Sequence, residues 1–116
     1  MDYCSDLESA IDNVKLQIST NFTDMNFNVM KLPNKSGYSE DYIRAKFKQR
    51  TAMTPVEFLN NQRIAHAVRL IEIYSGKITV SRLSTMCGYA DSCYFSNIFK
   101  KIKGISPKKY ASLRNN

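Results

Sequence analysis

An all-α fold of seven helices is what this 116-residue sequence predicts. Three observations predict it. Apolar residues recur three and four positions apart, the spacing of one helix face, and no stretch makes a convincing strand. Ser or Thr recurs where a helix would start, followed by Pro or by Glu three residues on. A late segment, GYADSCYFSNIFKKIKGISPKKY (Gly88–Tyr110), also resembles an earlier one, GYSEDYIRAKFKQRTAMTPVEF (Gly37–Phe58).

Residues 5–20 open with Ser5 and Glu8 at capping-box spacing, and Leu7, Ile11, Val14 and Ile18 then share one face. The acids of this helix make it a packing element and a poor binder of phosphate. Residues 24–36 carry Phe27, Met30 and Leu32 and predict a short helix, kinked or shortened by Pro33, which lacks a donor and clashes one turn back. Ser39 caps a helix over 39–51, after the turn Ser36-Gly37-Tyr38. Thr54, Pro55 and Glu57 stand at N-cap, N1 and N3 of a long helix that runs to about Tyr74. Gly76 suits the left-handed position behind it. Thr79 caps a helix ending near Gly88, Asp91 or Ser92 starts one ending near Gly104, and Ser106-Pro107 starts a last one reaching about Leu113.

With 43% hydrophobic residues the chain can bury a small core. No run of 18 apolar residues exists to span a membrane, and the N-terminus has acids where a signal peptide needs bases. These features predict a cytoplasmic protein with no membrane partner. Three cysteines (Cys4, Cys87, Cys93), no C-x-x-C and one histidine argue against a zinc site and a disulfide framework. No cofactor is expected. The net charge is +7, unevenly spread: residues 1–24 hold five acids and one base, for −4, and residues 25–116 hold five acids and sixteen bases, for +11. From Ser92 onward there are six bases and no acid. Such a balance suits a polyanionic partner.

The repeat sharpens that expectation. Phe47 aligns with Phe99, 52 positions on. Tyr42 then meets Tyr94, Lys48 meets Lys100, Ala52 meets Gly104, Thr54-Pro55 meets Ser106-Pro107, and Phe58 meets Tyr110. Each copy reads as short helix, glycine-containing turn, second helix, then a Ser/Thr-Pro helix start. Two helices joined by such a turn form the helix-turn-helix pattern, whose second helix enters the DNA major groove. The long helix between the copies, Pro55 to Tyr74, would be about 30 Å long. Successive major-groove faces lie about 34 Å apart, so one monomer could set two recognition helices in adjacent grooves.

These residues carry a resemblance to a known family. Gly88 to Lys101, followed by Gly104-Ile105-Ser106-Pro107 and Tyr110, resembles the C-terminal signature of the AraC/XylS family of bacterial transcription regulators. Gly37-Tyr38-Ser39, Tyr42-Ile43 and Phe47-Lys48 match in the first copy, and Phe58-Leu59 with Arg63-Ile64 match in the linking helix. The resemblance covers about residues 5–112. It implies an all-α DNA-binding domain with two helix-turn-helix subdomains, 5–52 and 78–112, joined by a long linking helix, 54–75. It also implies double-stranded DNA and RNA polymerase as partners, and a sensing, receiver or dimerisation domain ahead of this unit, either absent or cut away. Pro33 and Ser84 depart from the pattern. Pro33 stands where the family has a small helix-former, and Ser84 replaces an alanine.

In the second unit the spacing puts Tyr94, Phe95, Ile98, Phe99 and Ile102 on the core face and Ser92, Cys93, Ser96, Asn97, Lys100 and Lys101 on the other. In the first, Tyr42, Ile43 and Phe47 face in, and Glu40, Asp41, Arg44, Ala45 and Lys48 face out. Arg pairs with guanine O6/N7 and Asn with adenine, which favours Arg44 and Asn97 as base readers. Asp41 can accept from cytosine or orient Arg44 at i+3. The family's base-contacting positions fall on Asp41, Arg44, Ala45, Ser92, Cys93, Ser96 and Asn97. Phosphate contacts are expected from Lys48, Lys100, Lys101, Lys103 and Lys108, and from backbone N–H groups near Thr79 and Ser106. Lys46 is expected to lay its stem on the core edge with its amine outward. His66 reads as a surface histidine.

Two readings compete with a DNA-binding regulator. A helical adaptor that binds only protein would show a salt-independent partner. An enzyme would use Cys93 as a thiol that accepts an alkyl group from DNA, but no base stands at activating spacing, so the chain is not expected to be an enzyme.

Overall fold

The computed structural model describes residues 3–29 and 37–115. Among them are six helices and no strand: α1 (Tyr3–Asn21), α2 (Glu40–Thr51), α3 (Pro55–Ile73), α4 (Val80–Met86), α5 (Ser92–Lys103) and α6 (Pro107–Arg114). The seventh helix was expected over 24–36. Residues 24–29 form no α-helix, and the rest of that stretch, Met30, Leu32 and Pro33 included, lies outside the described residues. No helix among the described residues is long and apolar enough to cross a membrane.

The chain divides into two compact units. The first takes in Met1–Asn21 and Phe27–Leu59, the second Phe22–Asn26 and Asn60–Asn116, so the division falls inside α3.

In the first unit α1 and α2 pack around Leu7, Ile11 and Phe47, with Val14, Tyr38, Tyr42 and Phe58 against them. Phe58 meets Phe47 edge to face at 5.5 Å, and Tyr38 stacks on Tyr42 at 5.3 Å. Helix α1 begins at Tyr3, which places Ser5 inside the first turn and not at the cap predicted for it. Glu8 instead forms an ion pair with Arg50 of α2. Ser39 caps α2 as the sequence predicts, its hydroxyl accepting from the Tyr42 N–H at 3.1 Å. Acids in the first turn and bases in the last complement the helix dipole. The helix ends on Ala52, held at φ 66 with its N–H donating to the Lys48 carbonyl at 2.8 Å. A left-handed alanine is strained, and Ala52→Gly is expected to raise stability by about 0.5–1 kcal/mol, read as a higher denaturant midpoint.

The second unit holds the larger core. Ile64, Ala67, Leu70 and Ile71 of α3 pack with Leu83, Cys87, Tyr89, Phe95, Phe99 and Ala111. An aromatic run threads it: Tyr89 to Phe95 at 5.3 Å, Phe95 to Phe99 at 5.9 Å, Phe99 to Tyr110 at 5.6 Å. Every helix start predicted here is capped. Thr79 accepts from the Arg82 N–H at 3.2 Å, and Ser106 accepts from the Lys109 N–H at 3.1 Å with Pro107 in the first turn. Asp91, not Ser92, is the cap of α5, its Oδ1 accepting from Cys93 N–H at 2.8 Å and Tyr94 N–H at 3.3 Å. The start of α3 is a reciprocal box: Glu57 N–H donates to the Thr54 hydroxyl at 3.1 Å and Thr54 N–H to the Glu57 carboxylate at 3.3 Å.

The departure at Ser84 has a structural use. Its buried hydroxyl donates to the Tyr89 carbonyl at 3.2 Å, and the Tyr89 N–H donates to the Ser84 carbonyl at 3.0 Å. The turn between α4 and α5 is thus closed by two bonds where an alanine would leave one. His66 is not a plain surface residue. It is half-buried, edge-on to the Phe22 ring at 5.4 Å, and burial together with the Arg69 charge holds its pKa below the usual 6.5.

Candidate nucleic-acid interface

Helix α5 has a sharply divided surface. Phe95 and Phe99 are fully buried, and Ile98 and Ile102 pack partly against the same core. Cys93, Asn97, Lys100 and Lys101 are exposed on the opposite arc, with Ser92 and Ser96 half-buried at its edges. The sequence-predicted base readers of this unit therefore share one solvent-facing stripe. Lys100, Lys101 and Lys103 occupy its last turn, where they also offset the negative end of the helix dipole. Tyr94 was expected in the core and is not there. It is 48% exposed, with its ring 5.9 Å from that of Tyr89. It stands about 100° around the helix from Phe95, at the rim of the apolar arc.

On α2, Ile43 and Phe47 are buried and Tyr42 is half-buried. Asp41, Ala45 and Lys48 are exposed. The Arg44 guanidinium lies 3.2 Å from the Asp41 carboxylate, with the Arg44 side chain 41% exposed. Its Nε is buried and makes no hydrogen bond among the described residues, and its Nη2 is the nitrogen paired with Asp41. The Lys46 amine, expected to reach outward, lies over the Tyr42 ring, 5.6 Å from the centroid, and donates to Gln49 Oε1 at 3.2 Å.

The expected phosphate contacts sit on separate elements. Lys48 lies on α2, Lys100, Lys101 and Lys103 on α5, and Lys108 on α6, all exposed. Thr79 and Lys108 line one groove of about 400 Å³, floored by Ile78, Val80 and Ala111. The side-chain oxygens of Thr79 and Ser106 are occupied as caps, so what these helix starts offer a ligand is backbone N–H: Val80 and Ser81 behind Thr79, and Lys108 alone behind Ser106, since Pro107 has none.

Helix α5 follows α4 across a turn of five residues, Cys87 to Asp91, which is the helix-turn-helix arrangement. Residues 32–112 match a family model described as a helix-turn-helix domain. The chain belongs to the AraC-type helix-turn-helix family. Its relatives include the HTH-type transcriptional activator RhaR of Escherichia coli (strain K12), 33% identical over 89 residues, which covers 77% of this chain and 31% of that protein. The chain thus spans about a third of the length of the curated relatives it matches. Among solved structures, the C-terminal domain of AraT, a response regulator from Geobacillus stearothermophilus, matches with a TM-score of 0.78 at 23% identity, covering 90% of this chain and 85% of that one. The DNA-binding domain of AdpA, a global transcriptional factor solved in complex with a target DNA, matches with a TM-score of 0.76 at 22% identity, covering 90% and 91%. Both share the fold.

The AraC-type frame leaves two cysteines in contrasting places. Cys87 is buried in the core, and burial raises its pKa to about 12. Cys93 is exposed on the α5 stripe. A thiol reagent followed by peptide mass spectrometry is expected to label Cys93 and spare Cys87 in the folded protein. A bound duplex is expected to slow labelling of Cys93 by about tenfold or more, since a ligand at 10 Kd leaves under a tenth of sites free. Labelling at the same rate with and without duplex would remove Cys93 from the interface.

Proposed function

We propose that this chain is a sequence-specific double-stranded DNA-binding domain of a transcription regulator, with α2 and α5 each entering a major groove. One observation carries the proposal. Both units fasten a helix to a core by two buried residues, Ile43 and Phe47 in α2 and Phe95 and Phe99 in α5, and turn polar side chains and lysines to solvent. Membership of the AraC-type family supports it, as do the transcriptional activator RhaR and the DNA complex of the AdpA domain.

Arg44 would donate to guanine O6 and N7 in one groove, held in place by Asp41. Asn97 would pair with adenine in the other, with Ser92, Cys93 and Ser96 against neighbouring base edges. Ala45 would meet a thymine methyl group. Lys48, Lys100, Lys101, Lys103 and Lys108 would meet phosphates, with backbone N–H groups behind Thr79 and Ser106. The length expected of the linking helix suits successive grooves on one side of the duplex. The protein would act on cytoplasmic DNA, by binding and without chemistry of its own, with RNA polymerase and a sensing or receiver domain as its wider partners.

Replacing Arg44 or Asn97 with Ala is expected to cost about 1–3 kcal/mol of binding and to relax preference at one base position each. Lys100→Ala is expected to weaken all sequences alike and lower the salt slope by about 1. Titrations against a panel of single-base variants at two salt concentrations separate these effects. Equal losses on every sequence for all three variants would sink the assignment of Arg44 and Asn97.

A further inference from the structure

The turn that delivers α5 is held by a buried polar cluster that nothing in the reading of the helix itself requires. Arg63 of α3 is only 8% exposed. Its Nε donates to the Phe22 carbonyl at 2.7 Å and its Nη2 to the Asp24 carbonyl at 3.1 Å. Its guanidinium carbon lies 5.0 Å from the centroid of the Tyr89 ring. Tyr89 is 3% exposed, and its hydroxyl donates to Asn60 Oδ1 at 2.7 Å. The Phe22–Asp24 backbone also presses on this turn directly, since a Cβ at Gly88 would come within 2.7 Å of the Phe22 carbonyl. The Phe22 ring meets His66, and Asp24 closes its own turn by accepting from the Asn26 N–H at 2.9 Å. A segment far away in sequence is thereby locked to α3 and to Gly88 and Tyr89 of the α4–α5 turn.

We propose that Arg63 is the positioning residue of the α5 reading helix, fastening the Phe22–Asp24 backbone and the Tyr89 ring to α3 so that Ser92, Cys93, Ser96 and Asn97 are presented at a fixed tilt. The chain of contact is short. Arg63 holds the Tyr89 ring by its cationic face, Tyr89 packs on Phe95 at 5.3 Å, and Phe95 is the first fully buried residue of α5. Three partners for one buried guanidinium explain why an arginine, with its planar fork, serves where a lysine does not. Burial lowers the Arg63 pKa, more than the neighbouring Tyr89 and Asp24 raise it, and burial raises that of Tyr89. A base reader displaced by about 1 Å loses its paired hydrogen bonds, so positioning acts on discrimination more than on affinity.

This inference rests on α5 as a DNA reader, and the test separates the two. The full chain is made as wild type, Arg63→Lys, Arg63→Met and Tyr89→Phe. Each is titrated against a selected duplex and against two derivatives, one with the α2 block scrambled and one with the α5 block scrambled. Backbone hydrogen exchange is followed without DNA. In Arg63→Met, discrimination against the scrambled α5 block is expected to fall roughly five- to tenfold while discrimination at the α2 block is kept. Exchange at the Tyr89 amide and along the first turn of α5 is expected to rise, with α2 unchanged. Arg63→Lys should fall between, since an ammonium lacks the fork, and Tyr89→Phe should lose less, since only the Asn60 bond goes. Unchanged exchange in Arg63→Met, or losses equal at both blocks, overturns the positioning role. If Arg63→Met does not fold, Arg63→Lys and Tyr89→Phe carry the same comparison. A wild type indifferent to the α5 block but with exchange that responds to Arg63 would refute base reading by α5 and leave the fastening intact.

Discussion

Phe99→Ala is expected to cost about 3–5 kcal/mol, the largest loss from any single substitution considered. Phe99 is fully buried and sits between the Phe95 and Tyr110 rings, at 5.9 and 5.6 Å. Removing it takes away the apolar burial of one ring and leaves a cavity bounded by two others, which α5 cannot close without tilting. Whole domains of this size are stable by about 5–15 kcal/mol, so the variant should keep only a fraction of the native margin. With a urea slope of about 1–3 kcal/mol per molar, the midpoint should fall by on the order of 2 M. Because the opposite face of the same helix carries Cys93, Asn97 and Lys100, DNA binding should weaken with it. A midpoint within 0.3 M of wild type, an amount of about 0.5 kcal/mol, would mean that the aromatic run is not the core of this unit.

Gly76→Ala is expected to cost about 2–5 kcal/mol. Gly76 ends the long helix at φ 75, with its N–H donating to the Ile71 carbonyl at 2.8 Å. A Cβ there would stand 2.2 Å from the Ala111 carbonyl oxygen and 2.9 Å from the Asn115 N, both backbone atoms. Helix α6 would have to move away from α3 to admit it. Gly104 supplies the control. It has φ 86, yet a Cβ on it would meet nothing within 4 Å. Gly104→Ala should therefore lose only the left-handed strain, about 1 kcal/mol. Thermal unfolding of the two variants side by side isolates the steric part, and equal shifts would contradict the packing of α6 against the end of α3.

Local chemistry was legible where it is local. Ser39, Thr54 with Glu57, Thr79 and Ser106 announce helix starts because each cap satisfies an orphan N–H within three residues. The alignment of Ala52 with Gly104 is met by two left-handed helix ends with matching bonds to Lys48 and Lys100. Tyr94 was misplaced because an apolar period marks an arc, and a tyrosine at its rim can turn its ring outward without loss. Ser5 was misread as a cap because an acceptor at the right spacing does not show whether the chain turns there. Arg63 was visible only as part of a motif. Its partners are the carbonyls of Phe22 and Asp24, about 40 positions away and without side-chain signature, so no pattern of residues could have named them. His66 was missed for the same reason, its neighbour being Phe22.

The measurement that bears most directly on base reading by α2 and α5 is a selection from random duplex DNA at near-physiological salt, repeated with Arg44→Ala and Asn97→Ala. The account predicts an enriched motif of two short blocks about one helical turn apart, with a guanine whose preference disappears in Arg44→Ala and an adenine whose preference disappears in Asn97→Ala. No enrichment, with binding that vanishes as salt rises, would contradict it and leave a basic domain that grips phosphates without reading bases.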